Sequence, residues 1–334
     1  MTRQNQKTMY PFKPWRWVCG AFLLIVTLFS NQAYAIEPPI TAVAFAPDGT
    51  VVVAVSQSGI QVFGWPTLDR QRTIKTSSLN LHCVSFSPSG KHLAVGGGAP
   101  SEEGVVEVFS WPKGELVAKF DSHDDSVRSV VWQDDVRLLS ASIDREVKLW
   151  NLEKEANPVL TLQGHSRSVN ALCLVKNGKT LVSTGVDQSV RVWDMESGEL
   201  IRSMNQHTKP VHALAVRPVR DGLPMVASAA RDRTIRFWQP TIGRMVRYIR
   251  LDSEPLNIAW TNDGDRVLAT CVDGRVRIID PVEVTVTQDL PAINGWAYAI
   301  AMHPHDRSAA IGGINGQIWR IENLSEPGAR SEPR

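Results

Sequence analysis

Short stretches of alternating apolar and polar residues recur along the chain from about residue 40 to residue 323. One example is the segment 169–204, where stretches at 169–174, 180–183, 190–193 and 200–204 are separated by turn residues. β-branched residues, alternation with period two and closely spaced turns are typical of β-strands. No amphipathic helical pattern follows residue 35. The pattern therefore predicts an all-β protein built from units of four short strands.

Two markers repeat along the chain with one period. The first begins as Phe-x-Pro-x-Gly and gives the series Phe45, Phe86, Trp132, Leu174, Val216, Trp260 and Met302. The second marks the end of another strand and gives Phe63, Phe109, Trp150, Trp193, Trp238, Ile279 and Trp319. The spacing is 41 to 46 residues in the first series and 40 to 46 in the second. Seven four-stranded units predict a seven-bladed β-propeller, in which radial repetition protects most strand edges.

Three units also share a polar set at matched spacing. The sets are His123, Ser140, Asp144 and Trp150; His165, Ser183, Asp187 and Trp193; and His207, Ser228, Asp232 and Trp238. Ser, His and Asp together suggest a hydrolase triad. A catalytic site is needed once, however, whereas these residues recur in three units, so we interpret them as a structural network and expect no catalytic residues.

These sets, together with Gly164-His165 and Trp193-Asp194, resemble the WD40 family of β-propellers. The resemblance covers about residues 40–323. Four units depart from the pattern: the first two end their third strand as Val-Phe-x-Trp-Pro, the sixth has Ile279 in place of Trp, and the seventh lacks the Asp. The resemblance implies a WD40-type propeller whose function is to bind a protein or peptide.

The first thirty-five residues have a different composition. Four basic residues and no acid precede an apolar run at 18–29, which is followed by Ala33-Tyr34-Ala35. These features predict a signal peptide that is cleaved after Ala35. An uncleaved anchor is less favoured, because a span needs roughly 20 apolar residues. The sequence thus predicts an exported protein, periplasmic or secreted, with no stable membrane span after cleavage.

Composition and charge narrow the functional classes. The chain has 334 residues, 43% hydrophobic and 21% charged, which excludes a wholly disordered or collagen-like chain. The net charge of +2 would become −2 without residues 1–35. So small a balance gives no general attraction to nucleic acid. Length alone predicts about two domains. The repeat instead favours a single domain, one ring of seven units.

The sequence predicts three segments. They are a signal peptide at 1–35, a seven-bladed WD40 propeller at 36–324, and a flexible tail at 325–334. The blades are expected near 40–76, 81–120, 127–162, 169–205, 211–250, 255–290 and 297–323.

Two further features suggest metal or redox chemistry. His303-Pro304-His305-Asp306 aligns with a blade turn, and alternate His supply two ligands where structural zinc uses about four. Cys83, Cys173 and Cys271 fall on strands of different blades, so we expect buried free thiols. No motif for haem attachment or phosphate binding is present in the sequence. We therefore expect no metal and no cofactor.

The loops supply the candidate partner-binding residues. In the WD40 family, the turns between second and third strands and the connections between blades line one face. The residues expected there are Arg145, Arg167, Lys209, Arg231, Arg233 and Trp296. Exposed Arg and Trp are typical binding anchors. The alternative interpretation is a solvated rim, with Trp296 packed against a neighbouring blade.

Closure of the ring is a separate question. WD40 rings close by lending an N-terminal strand to the last blade, and spacing places that strand within residues 27–35. Because signal cleavage would remove it, we predict that the seventh blade lacks a proper fourth strand. Its third strand, expected at 316–321, would then be an exposed edge open to a partner strand.

The leading hypothesis is an exported, non-enzymatic propeller that acts as a protein- or peptide-binding scaffold, as a monomer or as part of a complex. A lactonase-like or quinoprotein-like enzyme using the channel is the first alternative. The channel-facing strands are mainly apolar, with His82, Asn170 and His212 as exceptions. A glycan-binding module is the second alternative, supported by Trp296 and Tyr298 at the rim.

Overall fold

Seven antiparallel sheets follow one another along the chain, each built from strands that are consecutive in sequence. The computed structural model describes residues 37–154, 157–175, 178–218, 222–322 and Leu324. The predicted signal peptide at 1–35 and the predicted tail at 325–334 lie outside the described residues. Within these ranges the regular structure consists of strands and one 3-10 turn, Ile314–Gly316.

The first four blades have four strands each. Blade one contains β1 (Ala42–Phe45), β2 (Val51–Ser56), β3 (Gly59–Gly64) and β4 (Arg70–Ile74). Blade two contains β5 (Leu81–Phe86), β6 (His92–Ala99), β7 (Glu103–Ser110) and β8 (Leu116–His123). Blade three contains β9 (Val127–Trp132), β10 (Arg137–Ser142), β11 (Val147–Asn151) and β12 (Leu160–Leu162). Blade four contains β13 (Val169–Val175), β14 (Thr180–Gly185), β15 (Val190–Asp194) and β16 (Leu200–Met204).

The last three blades complete the ring. Blade five contains β17 (Val211–Val216), β18 (Val226–Ala230), β19 (Thr234–Gln239) and β20 (Arg244–Arg250). Blade six contains β21 (Pro255–Trp260), β22 (Val267–Cys271), β23 (Arg275–Asp280) and β24 (Thr285–Pro291). Blade seven contains β25 (Ala297–Met302), β26 (Ala309–Gly313) and β27 (Ile318–Ile321). The predicted all-β, seven-bladed propeller is therefore confirmed.

Burial changes from strand to strand within each blade. The second strands β14, β18, β22 and β26 are buried along their whole length, since each lies between two strands and between two neighbouring blades. Their sequences are accordingly almost continuous runs of small and β-branched residues. The fourth strands face solvent at the rim, and β4 reads Arg-Gln-Arg-Thr-Ile with only Ile74 buried. The proportion of apolar residues is therefore highest in the second strands and lowest in the exposed fourth strands.

The hydrophobic core lies between the blades. One buried cluster joins Phe120 of blade two to Trp132, Leu138 and Trp150 of blade three. Another joins Phe237 of blade five to Trp260 of blade six. Each blade therefore buries its faces against two neighbours, as stacked repeats must.

The first strands form the inner wall, and each contacts the first strand of the next blade. The series closes because β25 of blade seven contacts β1 of blade one. At this junction the Ile40 backbone N–H donates to the carbonyl of Gly313 at 3.0 Å, and Ile40 is fully buried.

The sheet of blade seven contains three strands within the described part of the chain. The segment proposed for its fourth strand, 27–35, lies outside that part. An incomplete blade in the mature protein therefore remains a prediction. Among the residues that the structure describes, no helix has the length and apolar character needed to cross a membrane.

Candidate functional site

The three polar sets form one repeated arrangement. In blade four, Trp193 Nε1–H donates to Ser183 Oγ at 2.8 Å, and Ser183 Oγ lies 2.7 Å from Nε2 of His165. The other ring nitrogen of His165 lies 2.8 Å from Asp187 Oδ2. Blades three and five reproduce these contacts, with all three distances between 2.6 and 2.9 Å. Trp donates to Ser, Ser to His and His to Asp.

Electrostatics stabilises the ionised aspartate at the end of this chain. Burial raises the pKa of Asp187, but hydrogen bonds from His165 and Ser189 outweigh it and hold the pKa well below its ordinary value. Asp232 behaves in the same way beside His207 and Thr234. In blade three, Asp144 also accepts the backbone N–H groups of Asp124 and Glu146. The aspartate therefore joins the connection before a blade to the turn between its second and third strands.

The Ser–His–Asp order is that of a hydrolase, but the position is not. Ser140, Ser183 and Ser228 are all fully buried, and each accepts a tryptophan N–H. None of them lines the central channel cavity. A nucleophile must reach its substrate, and these buried serines cannot. The arrangement is therefore structural and holds the loops in place by hydrogen bonds.

Blades two and six use other polar groups at the same level, which sequence reasoning missed. In blade two, the buried Glu107 accepts hydrogen bonds from Thr76, from the Ser77 backbone at 3.1 Å and from the Ser77 hydroxyl at 2.8 Å. In blade six, Arg277 pairs with Asp273 at 2.7 Å. Glu107 and Arg277 lie two residues before Phe109 and Ile279, a position that is also charged in blade three, so the sequence alone does not single them out.

The second sequence marker was wrong for blade seven. Ala309 pairs with both Met302 and Ile321, just as Leu138 pairs with both Trp132 and Trp150. Ile321, 6% exposed, therefore occupies the structural tryptophan position. Trp319 lies two residues earlier, at the position of Lys148, and is 51% exposed on β27.

The sequence 303–306 forms a turn that joins blade seven to blade one. The buried His303 lies with Nε2 3.1 Å from the carbonyl of Gly49, and its ring stacks on Trp65 at 5.8 Å between centroids. Its Nδ1 accepts the backbone N–H of Asp306 at 3.1 Å. Both ring nitrogens are thus used in structural hydrogen bonds. The residues described contain no group of three or more His, Cys, Asp or Glu placed to hold a metal.

The three cysteines among the described residues are free and buried. Burial raises the pKa of Cys83 and of Cys173 to about 12, and that of Cys271 to about 11. All three stay protonated at neutral pH and pack as small apolar side chains.

The predicted partner-binding residues lie together on the loop-bearing face, which we define as the turns between second and third strands and the connections between blades. All are exposed, and Trp296 is 50% exposed in edge-to-face contact with Tyr298. Arg231 lies 3.7 Å from Glu254, which also holds His212 at 2.8 Å. Arg231 is therefore partly engaged in an ion pair on this face.

Three turns on the loop-bearing face carry backbone strain. The residue after the braced aspartate is Arg145, Gln188 or Arg233, with φ of 79°, 68° and 62°. Blade six has Gly274 there, with φ of 74°. A left-handed conformation costs a residue with a Cβ about 1–2 kcal/mol, and glycine almost nothing. The chain thus presents long polar side chains where glycine would be more stable, a situation often found at functional sites.

The sequence predicted only some of the residues at the channel mouth, the end of the central channel where the first strands begin. In blades two to seven a β-bulge near the start of the first strand places an extra residue opposite its partner. These residues are His82, Arg128, Asn170, His212, Leu256 and Tyr298, and all of them line a cavity of about 550 Å³. Bulges redirect side chains, which explains how Arg128 reaches the channel although alternation did not single it out.

The WD-repeat sequence model matches four consecutive segments of this chain. A sequence model described as WD domain, G-beta repeat, matches residues 69–110, 114–151, 156–194 and 198–239. Each match runs from the fourth strand of one blade to the third strand of the next. The sequence repeat is therefore offset by one strand from the structural blade, so that every repeat links two blades.

Curated relatives share this repeat at low identity. The periodic tryptophan protein 2 homolog of Dictyostelium discoideum is 26% identical over 61% of this chain and 22% of its own length. The Arabidopsis thaliana proteins Fizzy-related 1 and THO complex subunit 3 are 24% and 27% identical, over 75% and 62% of this chain. These alignments cover 52% and 66% of the two relatives. The chain thus spans about a fifth to two thirds of these relatives.

These relatives correct one prediction and support others. They are nuclear or cytoplasmic proteins, so the predicted exported, periplasmic or secreted localisation is wrong. As a group they are scaffold or regulatory proteins rather than enzymes and act in protein complexes. The family match, the repeated Trp–Ser–His–Asp arrangement and the ring of seven blades agree, and the chain belongs to the WD40-repeat family of β-propellers.

Proposed function

We propose that this chain is a non-enzymatic scaffold that binds a protein or peptide partner through its loop-bearing face. The observation that carries the proposal is the pair of arginines Arg145 and Arg233, held exposed in left-handed turns. Each directly follows an aspartate of the buried polar arrangement. The fold thus accepts local strain to present these side chains on rigid supports, and rigid supports lower the entropic cost of binding.

The same face offers an aromatic anchor. Trp296 is half exposed, and its ring meets Tyr298 at 5.8 Å between centroids. Aromatic and arginine side chains are the residues that contribute most at protein interfaces. The proposed binding domain is the whole propeller, residues 36–324, acting as a monomer or within a complex.

Affinity capture with matched variants tests this proposal. The loop-face variant is Arg145→Gly with Arg233→Gly, which removes two cationic side chains and suits both φ angles. The control is Lys91→Ala with Lys113→Ala, which removes two exposed charges from the turns on the opposite face. Both variants are first checked by thermal unfolding to be folded and at least as stable as wild type.

The expected result is that proteins captured from the source cells by wild type and by the opposite-face variant are lost with the loop-face variant. The proposal fails if the loop-face variant retains them while the control loses them. It also fails if wild type captures nothing above a blank matrix.

A further inference from the structure

The channel mouth contains a guanidinium group in a lining that otherwise consists of histidine, asparagine, small polar and apolar side chains. Arg128 is the extra residue of the bulge in β9 and lines the cavity of about 550 Å³. Its side chain is exposed to the cavity, and its Nη1 lies 3.2 Å from Nδ1 of His82 on the neighbouring blade. No ion pair to Arg128 is found among the described residues. His82 is the one hydrogen-bond partner of the guanidinium found among the described residues, so other N–H donors are left for a ligand.

The partner of Arg128 within the ring is neutral. Burial and then the charge of Arg128 lower the pKa of His82 to about 4. At neutral pH the uncharged Nδ1 of His82 therefore accepts one guanidinium N–H and fixes the side chain. The adjacent Cys83 thiol also stays protonated. Of these three side chains, only Arg128 is charged at neutral pH.

The nearest carboxylate in sequence is already engaged. Asp125 Oδ1 accepts the backbone N–H of Ser101 at 3.0 Å and that of Ser126 at 2.7 Å. On the far side of the mouth, Glu254 binds His212. Both carboxylates form hydrogen bonds with other residues, so neither neutralises the charge of Arg128 in an ion pair.

The surroundings carry further cations, beside the exposed Asp124 on the connection that leads into β9. Arg167 and Lys209 are exposed on the connections that lead into β13 and β17, the next two first strands around the ring. A guanidinium fork matches a carboxylate in two parallel hydrogen bonds, and such charge-assisted bonds are about twice as strong as neutral ones. Flanking cations favour a ligand that carries several acidic groups over a single small anion.

We propose that the channel mouth binds an acidic peptide segment of the partner, with one carboxylate docked on Arg128 in the bulge ring. This proposal rests on the proposed function and specifies the chemistry of the partner at that face. His82 is a positioning residue that orients the guanidinium. Arg167 and Lys209 attract the remaining acidic groups.

Fluorescence anisotropy with two labelled octapeptides tests the proposal. One peptide alternates glutamate with alanine, and the other replaces every glutamate with glutamine. We expect the wild type to bind the glutamate peptide at least tenfold more tightly. Arg128→Gln abolishes that preference, Arg128→Lys keeps part of it, and Arg244→Gln, which removes an exposed charge from β20 at the rim, leaves it unchanged. Equal binding of both peptides by wild type overturns the proposal, and so does a preference retained in Arg128→Gln.

Two further arms keep the outcomes distinct. Acetate and inorganic phosphate are titrated separately, and binding of either as tightly as the glutamate peptide overturns a peptide ligand in favour of a free anion. If Arg128→Gln does not fold, as judged by thermal unfolding, the wild-type comparison of the two peptides still decides. The channel site fails alone if the variant of Arg145 and Arg233 loses the captured partner while wild type shows no glutamate preference.

Discussion

Ser183→Ala tests whether the repeated Trp–Ser–His–Asp arrangement is structural. The hydroxyl of Ser183 accepts the N–H of Trp193 at 2.8 Å and lies 2.7 Å from Nε2 of His165. All three side chains are buried, with exposed fractions of 0%, 2% and 6%. Removing one oxygen therefore leaves two groups, an indole N–H and an imidazole nitrogen, without partners inside the blade.

The cost follows from those two groups. A buried polar group that loses its partner costs about 1–3 kcal/mol, so the substitution is expected to lower the free energy of unfolding by about 2–5 kcal/mol. The methyl group of alanine has neither a donor nor an acceptor, so it replaces neither bond. This loss is a large fraction of the 5–15 kcal/mol typical of folded proteins.

Denaturant unfolding followed by tryptophan fluorescence measures this loss. Ser203→Ala is the matched control, because Ser203 lies exposed on the fourth strand of the same blade. It is expected to change the free energy of unfolding by less than about 0.5 kcal/mol. If Ser183→Ala and Ser203→Ala agree within that margin, the structural interpretation of the arrangement is refuted.

Three further predictions concern charge, strain and register. Because Asp187 has a depressed pKa in the folded state, its stabilisation is present above the unfolded value of about 3.9 and is lost as the pH falls toward the folded value. Wild type should therefore lose more stability between pH 6 and pH 3 than Asp187→Asn does, and equal losses in chemical denaturation would contradict this. Arg145→Gly should raise the free energy of unfolding by about 0.5–1 kcal/mol relative to Arg145→Ala, because glycine relieves the positive φ, and a lower value than alanine would argue against strain. Ile321→Ala should cost about 2–4 kcal/mol and Trp319→Ala less than about 1 kcal/mol, whereas the reverse order in thermal or denaturant unfolding would restore Trp319 as the buried marker.

The sequence predicted the fold well because the repeated residues are buried in the core. Phe45, Trp132 and Trp260 end first strands and pack between blades, so their spacing reports the blade period directly. The same logic failed at blade seven. The aromatic residue near the end of the last strand suggests Trp319 as the marker, but strand register places Ile321 inside and Trp319 outside.

The candidate site was predicted less completely, for two physical reasons. Arg128 reaches the channel because a bulge adds one residue to its strand, and a bulge shifts the facing of side chains without changing the apolar pattern around it. Glu107 forms its bonds with Thr76 and Ser77, about thirty residues away, so no local motif shows the network. The repeat shows which positions lie in turns, so the sequence predicts the exposed arginines. Their positive φ angles are visible only in the structure.

Hydrogen exchange of the propeller, alone and with its captured partner, tests most directly the claim that the loop-bearing face is the binding surface. Binding at this face should slow exchange in the turns around Arg145, Gln188 and Arg233 and in the connection that contains Trp296. Protection confined to the turns of the opposite face, or to β27, would contradict it.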